Sequence, residues 1–131
     1  MSQIKSNRIL LVNNGEYYRG FLRRHLLARN YEIAGEAEDG EQAIKLFKSE
    51  QPDLTLLDVN MPNSNGSEIL QEILTLNPDA MVIMLTEMGD IATMQQCIER
   101  GAFHCLRRDY PLETIFSVIE ESLKNFAGIE N

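Results

Sequence analysis

Five short apolar runs alternate along the chain with stretches whose apolar residues recur at helical spacing. The runs are Arg8–Val12, Glu32–Ala37, Asp53–Val59, Ala80–Leu85 and Phe103–Arg107. The first, third and fourth are almost continuously apolar, as parallel strands covered on both faces require. Between them, Phe21, Leu22 and Leu26 share a helical face, as do Ala43, Ile44 and Phe47. Ile69, Leu70, Ile73 and Leu74 repeat the pattern, and so do Ile91, Met94 and Ile98. The last stretch is the clearest, with Leu112, Ile115, Phe116, Ile119, Leu123 and Phe126 in one stripe. Pro111 suits its first turn, where a missing N–H costs nothing. Gly101 reads as a helix stop, and Gln51-Pro52 and Asn77-Pro78 punctuate the approaches to the third and fourth strands. Five βα units in a row predict an α/β domain built on a doubly wound, five-stranded parallel sheet. Residues 1–131 read as a single domain with an ordered core spanning residues 7–126, and no linker or second module fits.

Twenty acidic against twelve basic residues leave a net charge of −8, which disfavours nucleic acid as a partner because phosphates would be repelled. No run is long enough to cross a bilayer, and no signal peptide is visible, so a cytoplasmic protein is expected. Cys97 and Cys105 fit no zinc or redox spacing. They read as reduced thiols of the core.

In such a fold the polar residues that end the strands gather in one crevice, where ligands bind in open α/β sheets. Asp58 closes the third run and is followed by turn-forming Asn60 and Pro62. Asn13-Asn14, Thr86 and Arg108 fall at the same edge. Taken singly, each has a plainer reading: an Asx turn for Asp58, a cap for Thr86, a solvated charge for Arg108. Asn14-Gly15 could mark a hairpin, but the helical pattern after it rules that out. Their convergence is the functional signal.

The motifs LLVNN, LLDVNMPNSNG, MLTEMGD and GAFHCLRRDYPLE, in this order, resemble the response-regulator receiver domain of two-component phosphorelays across essentially the whole chain. The resemblance implies a flavodoxin-like (βα)5 fold with strand order 2-1-3-4-5. It implies Asp58 as the acceptor of a phosphoryl group from a histidine kinase or phosphotransfer protein. Thr86 would be the hydroxyl that contacts that group, and Asn60 the residue whose backbone carbonyl helps hold magnesium. The departures are equally informative. Asn13 and Asn14 stand where the family carries an acidic pair, and Arg108 and Asp109 where it has Lys then Pro. Cys105 replaces the switch aromatic, and Glu87 stands where the family favours a small residue, its length expected to crowd the entry of the phosphoryl group.

Magnesium prefers carboxylate and water oxygens, and an amide oxygen is a poor anchor. A unit charge at about 4 Å, with an effective dielectric of roughly 20, is worth about 4 kcal/mol. No resident cofactor is therefore expected, and Mg2+ is held weakly at best, through Asp58, Asn14 and Asn60. Arg108, whose planar fork matches a carboxylate, is expected to pair with Asp58 in the resting state. The alternatives for Arg108 are solvent, Glu87 and Asp109. Cys105 is too small to report on the site as an aromatic would. Two-state switching is thus in doubt, while the face made by the fourth helix, fifth strand and fifth helix stays available for partners. Met88, Met94 and Tyr110 mark that face for a homodimer or a downstream protein.

The leading expectation is an atypical receiver that acts by protein–protein contact rather than as an enzyme, with a competent phosphoacceptor at Asp58 as the alternative. An aspartyl-phosphate phosphatase would want an acid where Asn60 stands. A flavodoxin-type cofactor site would want a Ser/Thr/Gly cradle instead of NNGEYY. Asn14-Gly15 is also a deamidation-prone pair, and its conversion would place an acid where the family keeps one.

Overall fold

The apolar runs pair as one parallel sheet of β1 (Arg8–Val12), β2 (Glu32–Ala37), β3 (Leu54–Asp58), β4 (Val82–Thr86) and β5 (His104–Arg107). Their spatial order is β2-β1-β3-β4-β5, with crossovers through α1 (Glu16–Ala28), α2 (Gly40–Glu50), α3 (Gly66–Leu76) and α4 (Ile91–Glu99). Helix α5 (Leu112–Ile129) follows the last strand. The computed structural model describes residues 7–61, 64–87 and 91–129. Pro62, Met88 and the Phe126 side chain lie outside the described parts.

Strand side chains alternate between the two faces of the sheet, and each face has its own core. On one, Leu10, Val12, Leu57, Met84 and Cys105 meet Phe47 of α2, Ile69, Leu70 and Ile73 of α3, and Cys97 of α4. On the other, Ile9, Leu11, Leu56, Ile83, Leu85 and Leu106 meet Leu22 and Leu26 of α1. Ile115, Phe116, Ile119 and Leu123 of α5 complete that second layer. The central strand β3 is buried along its whole length, which explains its unbroken apolar sequence. Both cysteines are buried.

Local chemistry sets the helix ends. The Asp39 side chain accepts from the Gln42 N–H to cap α2, and Asn65 accepts from the Glu68 N–H to cap α3. Gly101 has φ of 112°, a left-handed conformation that suits the stop after α4. Pro111 stands one residue before α5 rather than inside its first turn, and its carbonyl accepts from the Ile115 N–H.

The stripe expected to bury α4 does not do so. Ile91 and Ile98 are 68% and 46% exposed, and among the described residues of α4 only Cys97 is buried. Helical spacing showed that these residues share a side of the helix, but of the stripe only Met94 packs partly against the core, while Ile91 and Ile98 stay exposed.

The outer strand β2 is tied down by charge. Arg8 reaches Glu32 at 3.3 Å, while Arg19 and Arg23 both hold Glu36 at 2.9 Å.

Candidate functional site

Asp58 ends β3 and is only 3% exposed. The register aligns Leu57 with Val12 and Met84, and Asp58 with Leu85. Asn13 therefore lies beside Asp58 across the β1–β3 seam, and Thr86 one position beyond it on β4. Asn13, Asp58 and Arg108 each follow, by two residues, a side chain of the α1/α5 core: Leu11, Leu56 and Leu106. Strand alternation thus sends all three toward α1 and α5.

Arg108 approaches the acid without a full hydrogen bond. Its Nη1 is 3.7 Å from Asp58 Oδ2, an ion pair beyond hydrogen-bond length. Its guanidinium lies 4.4 Å over the Tyr18 ring, and its backbone N–H donates to the Thr86 carbonyl at 2.7 Å. Asp109, offered as an alternative partner, instead binds Arg107 through two hydrogen bonds of 3.0 and 2.7 Å. Tyr18 was not singled out from sequence. A tyrosine two residues into a helix that starts at the crevice was the available signal.

Burial pushes the Asp58 carboxyl above its ordinary range, since a charge is costly away from water. The Asn60 N–H, donating to Asp58 Oδ1 at 3.1 Å, pulls the other way, as does Arg108, while Glu87 pushes further up. Glu87 itself is exposed at the rim. Behind Asp58 the chain turns tightly. Asn60–Met61 pairs antiparallel with Ser64–Asn65, and a Cβ on Gly66 would fall 2.7 Å from the Asp58 carbonyl oxygen. Only glycine fits there.

Asn13 and Asn14 are not equivalent. Asn14 is exposed, whereas Asn13 is 2% exposed. The Asn13 side-chain oxygen accepts from the Gly15 N–H at 2.7 Å, and its Nδ2 has no partner among the described residues. The Thr86 hydroxyl is likewise buried without a partner. Arg19, another residue the sequence reading passed over, is 7% exposed and donates from Nη1 to the Asn13 carbonyl at 2.7 Å. The same guanidinium binds Glu36, so it fixes the β1–α1 loop against β2.

A divalent cation does not fit this donor set. Asp58 is the buried carboxylate of the crevice, Glu87 stands exposed at its rim, the Asn13 oxygen is already engaged, and Asn14 is exposed at the surface. Among the described residues, no three His, Cys, Asp or Glu side chains are placed to hold a metal.

On the other side of β5, Ile91, Met94, Ile98, Cys105, Arg107 and Tyr110 line an open groove of about 600 Å³. The exposed α4 stripe forms one wall.

The family model described as the response regulator receiver domain matches residues 9–120. The Bacillus subtilis protein CcdB is 45% identical over 95 residues, covering 72% of this chain and 79% of its own. The Thermotoga maritima chemotaxis protein CheY is 34% identical over the same share of each. The crystal structure of the receiver domain of NtrX from Brucella abortus superposes with a TM-score of 0.84 at 26% identity, covering 88% of this chain and 98% of that one. No helix among the described residues is long and apolar enough to cross a membrane.

Proposed function

Because the chain belongs to the response-regulator receiver domain family, we propose that it is a signalling module whose magnesium-dependent phosphoryl transfer is impaired and which acts by protein–protein contact. The observation that carries the reading is the occupancy of the crevice. The Asn13 oxygen is committed to Gly15, and the Arg108 guanidinium stands 3.7 Å from Asp58. Magnesium would neutralise the phosphoryl oxygens during transfer and steady the in-line displacement. In this chain Arg108 supplies a fixed positive charge instead, held by the face of Tyr18. Asp58 rests as a buried acid against that charge. The module has no turnover of its own and needs no resident cofactor.

Its partners are a histidine kinase or phosphotransfer protein on one side and a downstream protein on the other. The groove between α4, β5 and the loop that follows β5 offers an apolar wall of Ile91 and Ile98, with Arg107 and Tyr110 at its edge. Such a surface suits a protein partner or a second copy of the chain. The cytoplasm is the compartment that fits these partners.

A second reading, a competent phosphoacceptor, is favoured by one observation. Thr86 is buried beside the acceptor strand with its hydroxyl uncommitted. Acetyl phosphate with and without magnesium, followed by intact mass, separates the two. Slow modification with no magnesium effect supports the impaired module. Rapid stoichiometric modification of Asp58 that requires magnesium would overturn it.

A further inference from the structure

We propose that the charge state of Asp58 is read at the seam between α1 and α5, through Arg108 and a ladder of rings that begins at Tyr18, and not at the groove beside α4. The inference goes beyond the proposed function and holds whatever adds or removes charge at Asp58. Strand alternation chooses the direction. Arg107 and Arg108 are consecutive at the end of β5, so their side chains leave opposite faces of the sheet. Arg107 lines the groove beside α4 and is bound there by Asp109 at 2.7 Å. Arg108 goes to the other side, 3.7 Å from Asp58 and 4.4 Å over the Tyr18 ring.

Coupling between sites needs an element with two discrete placements, and the Arg108 fork is one. Its backbone is pinned, because its N–H donates to the Thr86 carbonyl at 2.7 Å. Its side chain is not pinned: the contact with Asp58 is longer than a hydrogen bond, and 27% of the side chain is exposed. Two groups therefore compete for one cation, the Asp58 carboxylate and the face of Tyr18. Removing the charge on Asp58 leaves the ring as the stronger partner, and the guanidinium settles onto it. A charged acid draws it off again. The Tyr18 hydroxyl is buried and makes no full hydrogen bond among the described residues, so its own end of the ring is not locked either.

From Tyr18 the rings continue along the helix. Tyr18, Phe21 and His25 follow one another at spacings of three and four on one face of α1. Tyr18 stacks on Phe21 with centroids 6.2 Å apart, and Phe21 meets His25 at 4.6 Å. His25 crosses to Phe116 of α5 at 6.4 Å, and Arg29 closes the far end 4.2 Å over the Phe116 ring. The helix rise carries the ladder roughly 10 Å from Tyr18 to His25. Phe116 is buried in the core of that face, where close packing passes a displacement on to the next side chain. An open groove of about 460 Å³ lies at that end, lined by Arg29, Tyr31, Phe116 and Glu120 among others, so the state of the ladder emerges at the surface. The groove beside α4 then keeps one shape in both charge states of Asp58.

The test uses the full chain at pH 8 and needs no phosphoryl donor, so its failure leaves the receiver reading untouched. Amide NMR spectra are compared for wild type and Asp58→Asn, and for the same pair in Tyr18→Phe, Tyr18→Leu and Arg108→Met backgrounds. Circular dichroism checks the folding of each variant. Asp58→Asn should shift the amides of residues 21–28 and 113–117 at least threefold more than those of residues 91–98. Tyr18→Phe keeps the ring and should keep the effect. Tyr18→Leu and Arg108→Met should each reduce it at least threefold. Arg108→Met cuts the first link without touching the ring, so the inference stays testable if Tyr18→Leu does not fold. It is overturned if residues 91–98 shift as much as those of α1 and α5, or if the far end of the ladder does not shift. Survival of the effect without the arginine or without the ring also overturns it, as does a Tyr18→Phe that behaves like Tyr18→Leu.

Discussion

Replacing Arg108 with methionine removes the positive charge that faces Asp58 while keeping an apolar stem against Tyr18. At 3.7 Å and an effective dielectric of about 20, the pair is worth roughly 4.5 kcal/mol of Coulomb attraction before hydration is counted. The measured effect should be smaller. The contact lacks a hydrogen bond, and 27% of the Arg108 side chain remains exposed to water. We expect Arg108→Met to destabilise the protein by about 1–3 kcal/mol at pH 7–8, below the range for fully buried pairs. Urea unfolding followed by circular dichroism measures this, and a cycle with Asp58→Asn isolates the pair. In the Asp58→Asn background the arginine should matter little. The pH dependence follows from the direction of the Asp58 shift. Burial raises its folded pKa above the unfolded value, so the stability it contributes is full below the unfolded pKa and is lost as pH rises through the folded one. Asp58→Asn should therefore be more stable than wild type at pH 7–8, with the gap closing toward acid. If Arg108→Met costs the same in wild type and in the Asp58→Asn background, or if the gap does not change with pH, the electrostatic account of the crevice is wrong.

Gly66→Ala should cost about 1–3 kcal/mol by urea unfolding, because its Cβ would meet two backbone atoms of the acceptor loop at 2.7 and 2.8 Å. Ile98→Glu should change stability by less than about 0.5 kcal/mol, since its exposed side chain supports no core, whereas Ile73→Ala should cost about 2–5 kcal/mol. Asn14 should resist deamidation: the Gly15 nitrogen that would attack its side chain is held by Asn13 at 2.7 Å. Peptide mass spectrometry after prolonged incubation should find Asn14 unmodified, and fast isoaspartate formation would show that this hydrogen bond is not persistent.

The fold was legible because burial on two faces forces a continuous apolar code on β1, β3 and β4, and that code admits few alternatives. The strand ends then place Asp58, Thr86, Asn13 and Arg108 at one edge by topology alone. What covers a helix face is not written in its own spacing, and α4 shows this: Ile91 and Ile98 obey the helical period yet face outward. Arg19 and Tyr18 escaped notice for a related reason. A buried arginine looks like any surface arginine until its partners, Glu36 and the Asn13 carbonyl, arrive from distant parts of the sequence. The difference between Asn13 and Asn14 was hidden too, because it comes from which of two neighbouring amides the Gly15 N–H meets.

An open sheet must guard its borders, and β2 is one of them. Its glutamates are clasped by arginines from β1 and α1, so another chain adding a strand there would have to part those pairs and bring carboxylates together. Those pairs thus weigh against strand addition along that border.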